Sequence, residues 1–222
     1  MIKIKNLYKI FNQNKKNEFI ALQDINLEIK KEEIVLLKGI SGSGKSTLLS
    51  IISSLQKPTS GDIIVDNEHI AKLPDLHASF FRNKKIGYVF QDFNLISSLN
   101  VYQNVMTPLI VQNLNTKQIE QKVLKALEIA NIVHKKEELV SNLSGGEKQR
   151  VAIARALVCD ANILLFDEPT ANLDKDNSLK FLEALESFKA LGKTVVIATH
   201  DSIFEQSRVI SKVINMQNGK LI

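Results

Sequence analysis

An apolar run at 34–37 leads into Gly39-Ile40-Ser41-Gly42-Ser43-Gly44-Lys45-Ser46, and a helical run at 48–55 follows. This segment fits G-x-x-x-x-G-K-[ST] in the strand–loop–helix context that the motif requires. The glycines let the backbone curl until successive N–H groups point at one anion, and the following helix adds its positive N-terminal end. Lys45 can reach the β- and γ-phosphates as a point charge, and the Ser46 hydroxyl can ligate Mg²⁺. A flexible Gly/Ser loop with no ligand is the alternative, and the flanking strand and helix argue against it. The motif points to nucleotide binding and leaves the reaction open.

The strand before the loop belongs to a pattern. The runs at 34–37, 163–166 and 195–197 are continuously apolar, as in parallel strands covered on both faces. In contrast, Ile2 and Ile4 alternate with lysines, and Ile25, Leu27 and Ile29 alternate with polar residues, which predicts half-buried antiparallel strands. Between 94 and 159 the chain reads mostly helical. Thr116 is placed to cap a helix whose apolar stripe is Ile119, Val123, Ala126, Leu127 and Ala130. Leu179, Leu182, Leu185 and Phe188 recur at helical spacing, with Gly192 as the stop. The expected architecture is a single α/β domain over 1–222. Residues 1–91 and 160–222 form the nucleotide-binding core with an antiparallel edge, and 92–159 form an inserted helical subdomain.

Composition narrows the setting. With 222 residues, 44% of them hydrophobic, the chain can bury a core without staples. Its single cysteine, Cys159, excludes an intrachain disulfide and suits a reducing compartment. No signal-peptide pattern opens the chain, and no apolar run approaches the ~18 residues of a membrane-spanning helix. The net charge of +5 is spread without a block of like charges, so it selects no partner.

Two further segments carry chemistry. The run at 163–166 ends in Asp167-Glu168. A strand-terminal Asp beside a phosphate loop can hold Mg²⁺, and the next carboxylate can orient or deprotonate an attacking water. In Leu143-Ser144-Gly145-Gly146-Glu147, Ser144 and Glu147 make a capping box for the helix carrying Val151, Ala154 and Leu157. A capped helix alone does not explain two glycines in its first turn, where they are poor helix formers. Glycine there allows another backbone, or a phosphate, to approach, so the helix start is a second candidate anion site.

Together these segments resemble the ABC ATPases, whose P-loop, RecA-like core carries an antiparallel β subdomain and an inserted α-helical subdomain. Residues 143–147 resemble the family's signature motif. Gln91 in Val89-Phe90-Gln91 matches its glutamine loop, Ala171-Asn172-Leu173-Asp174 its D-loop, and His200 in Thr199-His200-Asp201 its switch histidine. Phe11 stands where the family places an adenine-stacking aromatic, with Tyr8 as the fallback. The resemblance covers nearly the whole chain.

It implies an ATP-hydrolysing subunit that closes head to tail with a second copy around two ATP molecules. Phe11, Gly39, Ser41, Gly42, Ser43, Gly44, Lys45, Ser46 and Thr47 would bind ATP in one copy. Ser144, Gly145 and Gly146 of the other would complete the γ-phosphate shell, and Asp174 of the D-loop also counts among the nucleotide-binding residues. Ser46, Gln91 and Asp167 would hold or sense Mg²⁺, and Glu168, His200, Lys45 and Gln91 would carry catalysis. The implied partner is an integral membrane permease, engaged from the cytoplasmic face of the inner membrane, with no nucleic acid expected. The competing class is a soluble ABC ATPase acting on nucleic acid or ribosomes. Its DNA-repair types insert coiled coils or zinc-binding cysteines and its ribosome-associated types carry two cores, all absent here. Phe93-Asn94-Leu95-Ile96 and Asn104-Val105-Met106-Thr107-Pro108-Leu109 further resemble the lipoprotein-releasing and macrolide-exporter ATPases, and methionine importers share part of that pattern. Three positions depart from the family pattern: Glu32 replaces a glycine before the phosphate-loop strand, Ile40 a frequent proline, and Glu147 the commoner glutamine.

Overall fold

The computed structural model describes residues 1–205 and 207–222. The chain opens with a hairpin, β1 (Ile2–Phe11) and β2 (Phe19–Ile29), that pairs Ile2 with Ile29 and Phe11 with Phe19. Sequence alternation indicates a strand only over 25–29. Instead Phe19 and Ile20 extend the strand, as their β-favouring side chains allow. The left-handed Asn12 and Asn14 shorten the turn. Next come β3 (Ile34–Lys38), α1 (Lys45–Ile52), β4 (Ser60–Val65), the short β5 (Glu68–His69), α2 (Asp75–Lys85) and β6 (Ile86–Val89). Three helices follow: α3 (Val101–Met106), α4 (Thr116–Ile129) and α5 (Gly145–Leu157). The chain then returns through β7 (Ile163–Asp167), α6 (Lys175–Ala190), β8 (Thr194–Thr199), β9 (Lys212–Gln217) and β10 (Lys220–Leu221).

The strands form two sheets, an antiparallel one ordered β2-β1-β4-β5 and a six-stranded one ordered β10-β9-β3-β8-β7-β6. In the larger sheet β9, β3, β8, β7 and β6 run parallel, and only β10 is antiparallel to its neighbour. Its central strands are continuously apolar because alternate residues serve two cores. Val35, Leu37, Leu165, Val196 and Ala198 pack with the β1–β2 hairpin and α1. Ile34, Leu36, Leu164, Phe166, Val195 and Ile197 pack with the helices on the opposite face. Each such side chain, removed from water, contributes on the order of 1.5–3 kcal/mol.

One anchor sets the position of the site. Phe166, the last apolar residue before Asp167, meets Phe181 edge-on at 5.0 Å between ring centroids and stacks on Phe188 at 5.8 Å. This aromatic cluster clamps α6 to β7. The buried stripe of α6 is accordingly Phe181, Leu185 and Phe188, with Leu182 half-buried, whereas Leu179 is exposed. The spacing argument chose Leu179 over Phe181, one of two overlapping helical registers, and the aromatic partners on β7 select the other. Gly192 (φ 66) ends the helix as expected. The stripe on α4 also forms as read, but its cap is Asn115, whose side chain accepts from the Gln118 backbone in a reciprocal capping box. Thr116 is the first helical residue. A cap side chain needs extended backbone and a donor two or three residues on, and Asn115 meets both conditions.

Candidate functional site

The loop after β3 places Lys45 at the start of α1. Gly44 has φ 103, and a Cβ there would meet the Ala21 carbonyl oxygen at 2.8 Å. Glycine is therefore required both by the turn and by the close approach of β2. The buried Lys45 Nζ donates to the Gly39 oxygen at 2.7 Å and the Ile40 oxygen at 3.1 Å, and lies 3.2 Å from Glu168 Oε1. A cavity of about 210 Å³ lies over the loop. Ser41, Gly42, Ser43, Gly44, Lys45, Ser46 and Thr47 line it together with Gln91 and Glu168.

At the end of β7, Asp167 and Glu168 diverge. Asp167 Oδ1 accepts from the Ser46 hydroxyl at 2.8 Å, and its Oδ2 accepts from the Tyr88 hydroxyl at 3.4 Å. Burial raises the Asp167 pKa above the usual carboxylate range, with the Glu168 charge acting in the same direction and the Ser46 hydrogen bond opposing it. Burial likewise raises the Tyr88 pKa, reinforced by the Asp167 charge, so this phenol stays protonated and donates. Glu168 has left-handed backbone (φ 46), and its N–H donates to the Ala198 oxygen on β8 at 2.8 Å. Its Oε2 lies 3.0 Å from His200 Nδ1 and accepts from the His200 backbone N–H at 3.3 Å. Glu168 thus joins the ends of three elements: the loop after β3, β7 and β8.

The signature segment is built as its sequence indicates. Ser144 caps α5 in a reciprocal box with Glu147. Glu147 Oε2 accepts from the Ser144 hydroxyl at 2.7 Å and N–H at 2.9 Å, which hold its pKa below the usual range. The two glycines make room for the same chain: a Cβ on Gly146 would meet Asn177 Oδ1 at 2.6 Å, and one on Gly145 the Asn172 oxygen at 3.1 Å. Asn172 also donates from Nδ2 to the Gln91 oxygen at 3.1 Å, tying the D-loop to the glutamine loop. Asp174 serves as the N-cap of α6, accepting from the Asn177 backbone at 2.8 Å.

Lys45, Ser46, Asp167, Glu168 and His200 are therefore linked through direct contacts, and Thr47 and Gln91 line the same cavity. Among the described residues, Ser144, Gly145, Gly146 and Asp174 do not line it. Neither does Phe11, which stands half-exposed with the Lys9 ammonium 4.9 Å from its ring centroid. Two residues absent from the sequence-derived set belong here: Phe19, on the cavity wall, and Tyr88, on Asp167. The apolar alternation of β1 and β2 could have located Phe19 if the pairing register had been known. No short-range signal marks Tyr88.

A phosphate loop on a parallel sheet, with a strand-end acidic pair bonded to it, defines a P-loop nucleoside triphosphatase. Comparison narrows the class. The ABC transporter family matches residues 22–171. The "Lipoprotein-releasing system ATP-binding protein LolD" of Pseudoalteromonas translucida is 37% identical, covering 100% of this chain and 94% of that protein. The "Methionine import ATP-binding protein MetN" of Histophilus somni is 41% identical over 100% of this chain, which spans only 64% of that relative's length. The ATP-binding cassette MJ0796, solved as a dimer in a post-hydrolysis state with ADP and Pi, superposes with a TM-score of 0.90 at 38% identity. That match covers 100% of this chain and 96% of that one. The chain belongs to the ABC transporter family, as an ATP-binding subunit with the ABC ATPase fold. No helix among the described residues is long and apolar enough to cross a membrane.

Proposed function

We propose that this chain powers a separate integral membrane subunit from the cytoplasmic face of the membrane, by binding and hydrolysing ATP between two head-to-tail copies. The observation that carries this reading is the position of Glu168, held between Lys45 at 3.2 Å and His200 at 3.0 Å. ATP would enter over the loop, where backbone N–H groups and Lys45 receive the β- and γ-phosphates. Lys45 then exchanges the Gly39 and Ile40 oxygens and Glu168 for phosphate oxygens. Freed from the lysine, Glu168 accepts a proton from water as the water oxygen bonds to the γ-phosphorus. The bond from phosphorus to the bridging oxygen breaks, and ADP leaves with the electron pair. His200 fixes the orientation of Glu168 through the 3.0 Å contact and would sense the departing phosphate through it. Ser144, Gly145, Gly146 and Asp174 of a second copy would close the site over the γ-phosphate.

The residues present fit Mg²⁺. Ser46 and Asp167 offer hard oxygen ligands in mutual contact, and the raised Asp167 pKa marks a buried carboxylate that gains from a nearby cation. No group of three or more His, Cys, Asp or Glu among the described residues is arranged to hold a metal ion by itself. Mg²⁺ does not need such a cage, because it takes phosphate oxygens and water for its remaining ligands. When bound, it neutralises charge on the β- and γ-phosphates.

Among membrane-coupled types, we place the chain with the lipoprotein-releasing and macrolide-exporter ATPases. Support comes from the segments at 93–96 and 104–109. The test is purification of tagged Glu168→Gln chain from detergent-solubilised native cells with ATP and Mg²⁺. Co-purification of a multi-spanning membrane protein with a large extracytoplasmic domain is expected. A many-helix permease would shift the assignment to an importer, and recovery of nucleic acid or ribosomes alone would overturn the membrane role.

A further inference from the structure

Just beyond Gln91 the backbone takes a path that its residues do not favour. Phe93 (φ 59) and Asn94 (φ 48) are left-handed in succession. Asparagine tolerates that conformation, whereas for a residue as bulky as phenylalanine it is an outlier. Such residues persist only where their surroundings over-determine them. The buried Phe93 packs into the helical core. Its N–H donates to the Phe90 oxygen at 2.9 Å, and the Asn94 N–H donates to the Asp92 oxygen at 2.6 Å. The carbonyls of the turn are then taken by one side chain. Arg155, in the last turn of α5, donates from Nη1 to the Asn94 oxygen at 2.6 Å and from Nη2 to the Phe93 oxygen. Burial lowers the pKa of this guanidinium, with no carboxylate acting to raise it. A half-buried cation is thus spent on two backbone oxygens. The planar fork of arginine can fix two adjacent carbonyls at once, which a lysine ammonium cannot do in the same geometry. Gln91 is tethered from another side too, since Asn172 donates to its backbone oxygen at 3.1 Å, and Gln91 lines the phosphate-loop cavity.

We propose that Arg155 is a positioning residue for ATP hydrolysis, acting through Gln91 by holding the left-handed Phe93–Asn94 turn. This rests on the reading that the cavity holds ATP and that Gln91 acts in it. Arg155 is not among the described residues lining that cavity, so its effect on turnover must pass through the loop.

A double-mutant cycle in ATP turnover, with Gln91→Ala, Arg155→Gln and the two combined, tests this. Arg155→Gln should lower kcat roughly tenfold or more, as displacement of a positioned group does. KM for ATP should stay within about twofold, because uniform binding by the phosphate loop is untouched. Gln91→Ala should lower kcat as well, and the combined variant should turn over no more slowly than Gln91→Ala. Arg155→Lys keeps the charge without the fork. It should fall between Arg155→Gln and the unmodified chain, and it carries the same cycle where Arg155→Gln does not fold. The proposal is overturned if the two losses multiply in the combined variant, as an independent structural role requires. It is equally overturned if both Arg155 variants turn over as the unmodified chain does, or if Gln91→Ala turns over at the full rate. ATP binding by the unmodified chain, measured by calorimetry, shows separately whether the site itself stands, and its absence would remove both.

Discussion

Lys45 Nζ and Glu168 Oε1 lie 3.2 Å apart, with the lysine side chain 4% exposed and the glutamate 11%. Both charges are largely out of water, so each depends on the other until a phosphate arrives. A buried ion pair broken from one side leaves an uncompensated charge, and the substrate's phosphates provide a replacement partner for the lysine. Under the proposed function, the contact would link nucleotide entry to release of the Glu168 carboxylate.

Two substitutions separate these roles. Glu168→Gln removes the competitor for Lys45 and the proton acceptor together. Its ATP affinity, measured by calorimetry, should equal or exceed that of the unmodified chain, while turnover falls about 10²- to 10⁴-fold, as for loss of a general base. Lys45→Ala should instead lose ATP binding by about tenfold or more, because a charge-assisted contact to phosphate disappears.

The raised pKa of Asp167 has a consequence of opposite sign for stability and for activity. Burial makes the folded chain bind a proton at Asp167 more tightly than the unfolded chain does. Stability contributed by this group therefore falls as pH rises from the ordinary aspartate range through the raised pKa, and it stays reduced above that window. Asp167→Asn should melt higher than the unmodified chain at pH 7, with the difference shrinking once the pH drops below the window. Mg²⁺-dependent turnover should be lost at every pH. A lower Tm at pH 7 would contradict the assignment of burial as the dominant cause.

Much of this site was legible because its chemistry is local. The phosphate loop, the Asp167-Glu168 pair and the Ser144–Glu147 capping box are each contiguous, and each forms where its spacing indicates. What could not be read depends on pairing between distant segments. Phe19 reaches the cavity only through the register of β1 with β2, and Tyr88 reaches Asp167 only because β6 lies beside β7. The choice of Phe181 over Leu179 for the buried face of α6 likewise follows from aromatic partners on another element. The glycines of the signature segment are a mixed case. Their need for close approach was evident, but the groups approaching them, Asn172 and Asn177, come from the D-loop and α6 of the same chain.

Glu32, in a position the family gives to glycine, has φ 65, and its N–H donates to the Thr194 hydroxyl at 2.9 Å. The turn is the one glycine would make, adopted by a residue with a Cβ at a cost of roughly 1 kcal/mol. Glu32→Gly should therefore raise stability by about that amount in urea denaturation, with ATP turnover unchanged. Destabilisation would show that the side chain contributes more than the strain removes.

Ser144 joins an observed duty, capping α5, to a proposed one at the γ-phosphate of a second copy. As the N-cap of α5 it satisfies the Glu147 N–H and holds the Glu147 carboxylate. Ser144→Ala should cost about 1 kcal/mol, lowering Tm by roughly 2–4 °C for a chain of this size. Ser144→Asp retains a capping oxygen but introduces a negative charge where a γ-phosphate would dock. It should keep most of the stability and lose ATP-dependent association of two copies, as followed by analytical ultracentrifugation.

The central claim is that ATP joins two copies of this chain through sites that each copy holds only in part. Light scattering on size-exclusion chromatography of Glu168→Gln, with and without ATP and Mg²⁺, tests it directly. The account predicts a monomer that becomes a dimer on ATP addition, with Lys45→Ala remaining monomeric under the same conditions. A Glu168→Gln chain that binds ATP by calorimetry yet stays monomeric at saturating nucleotide would contradict it.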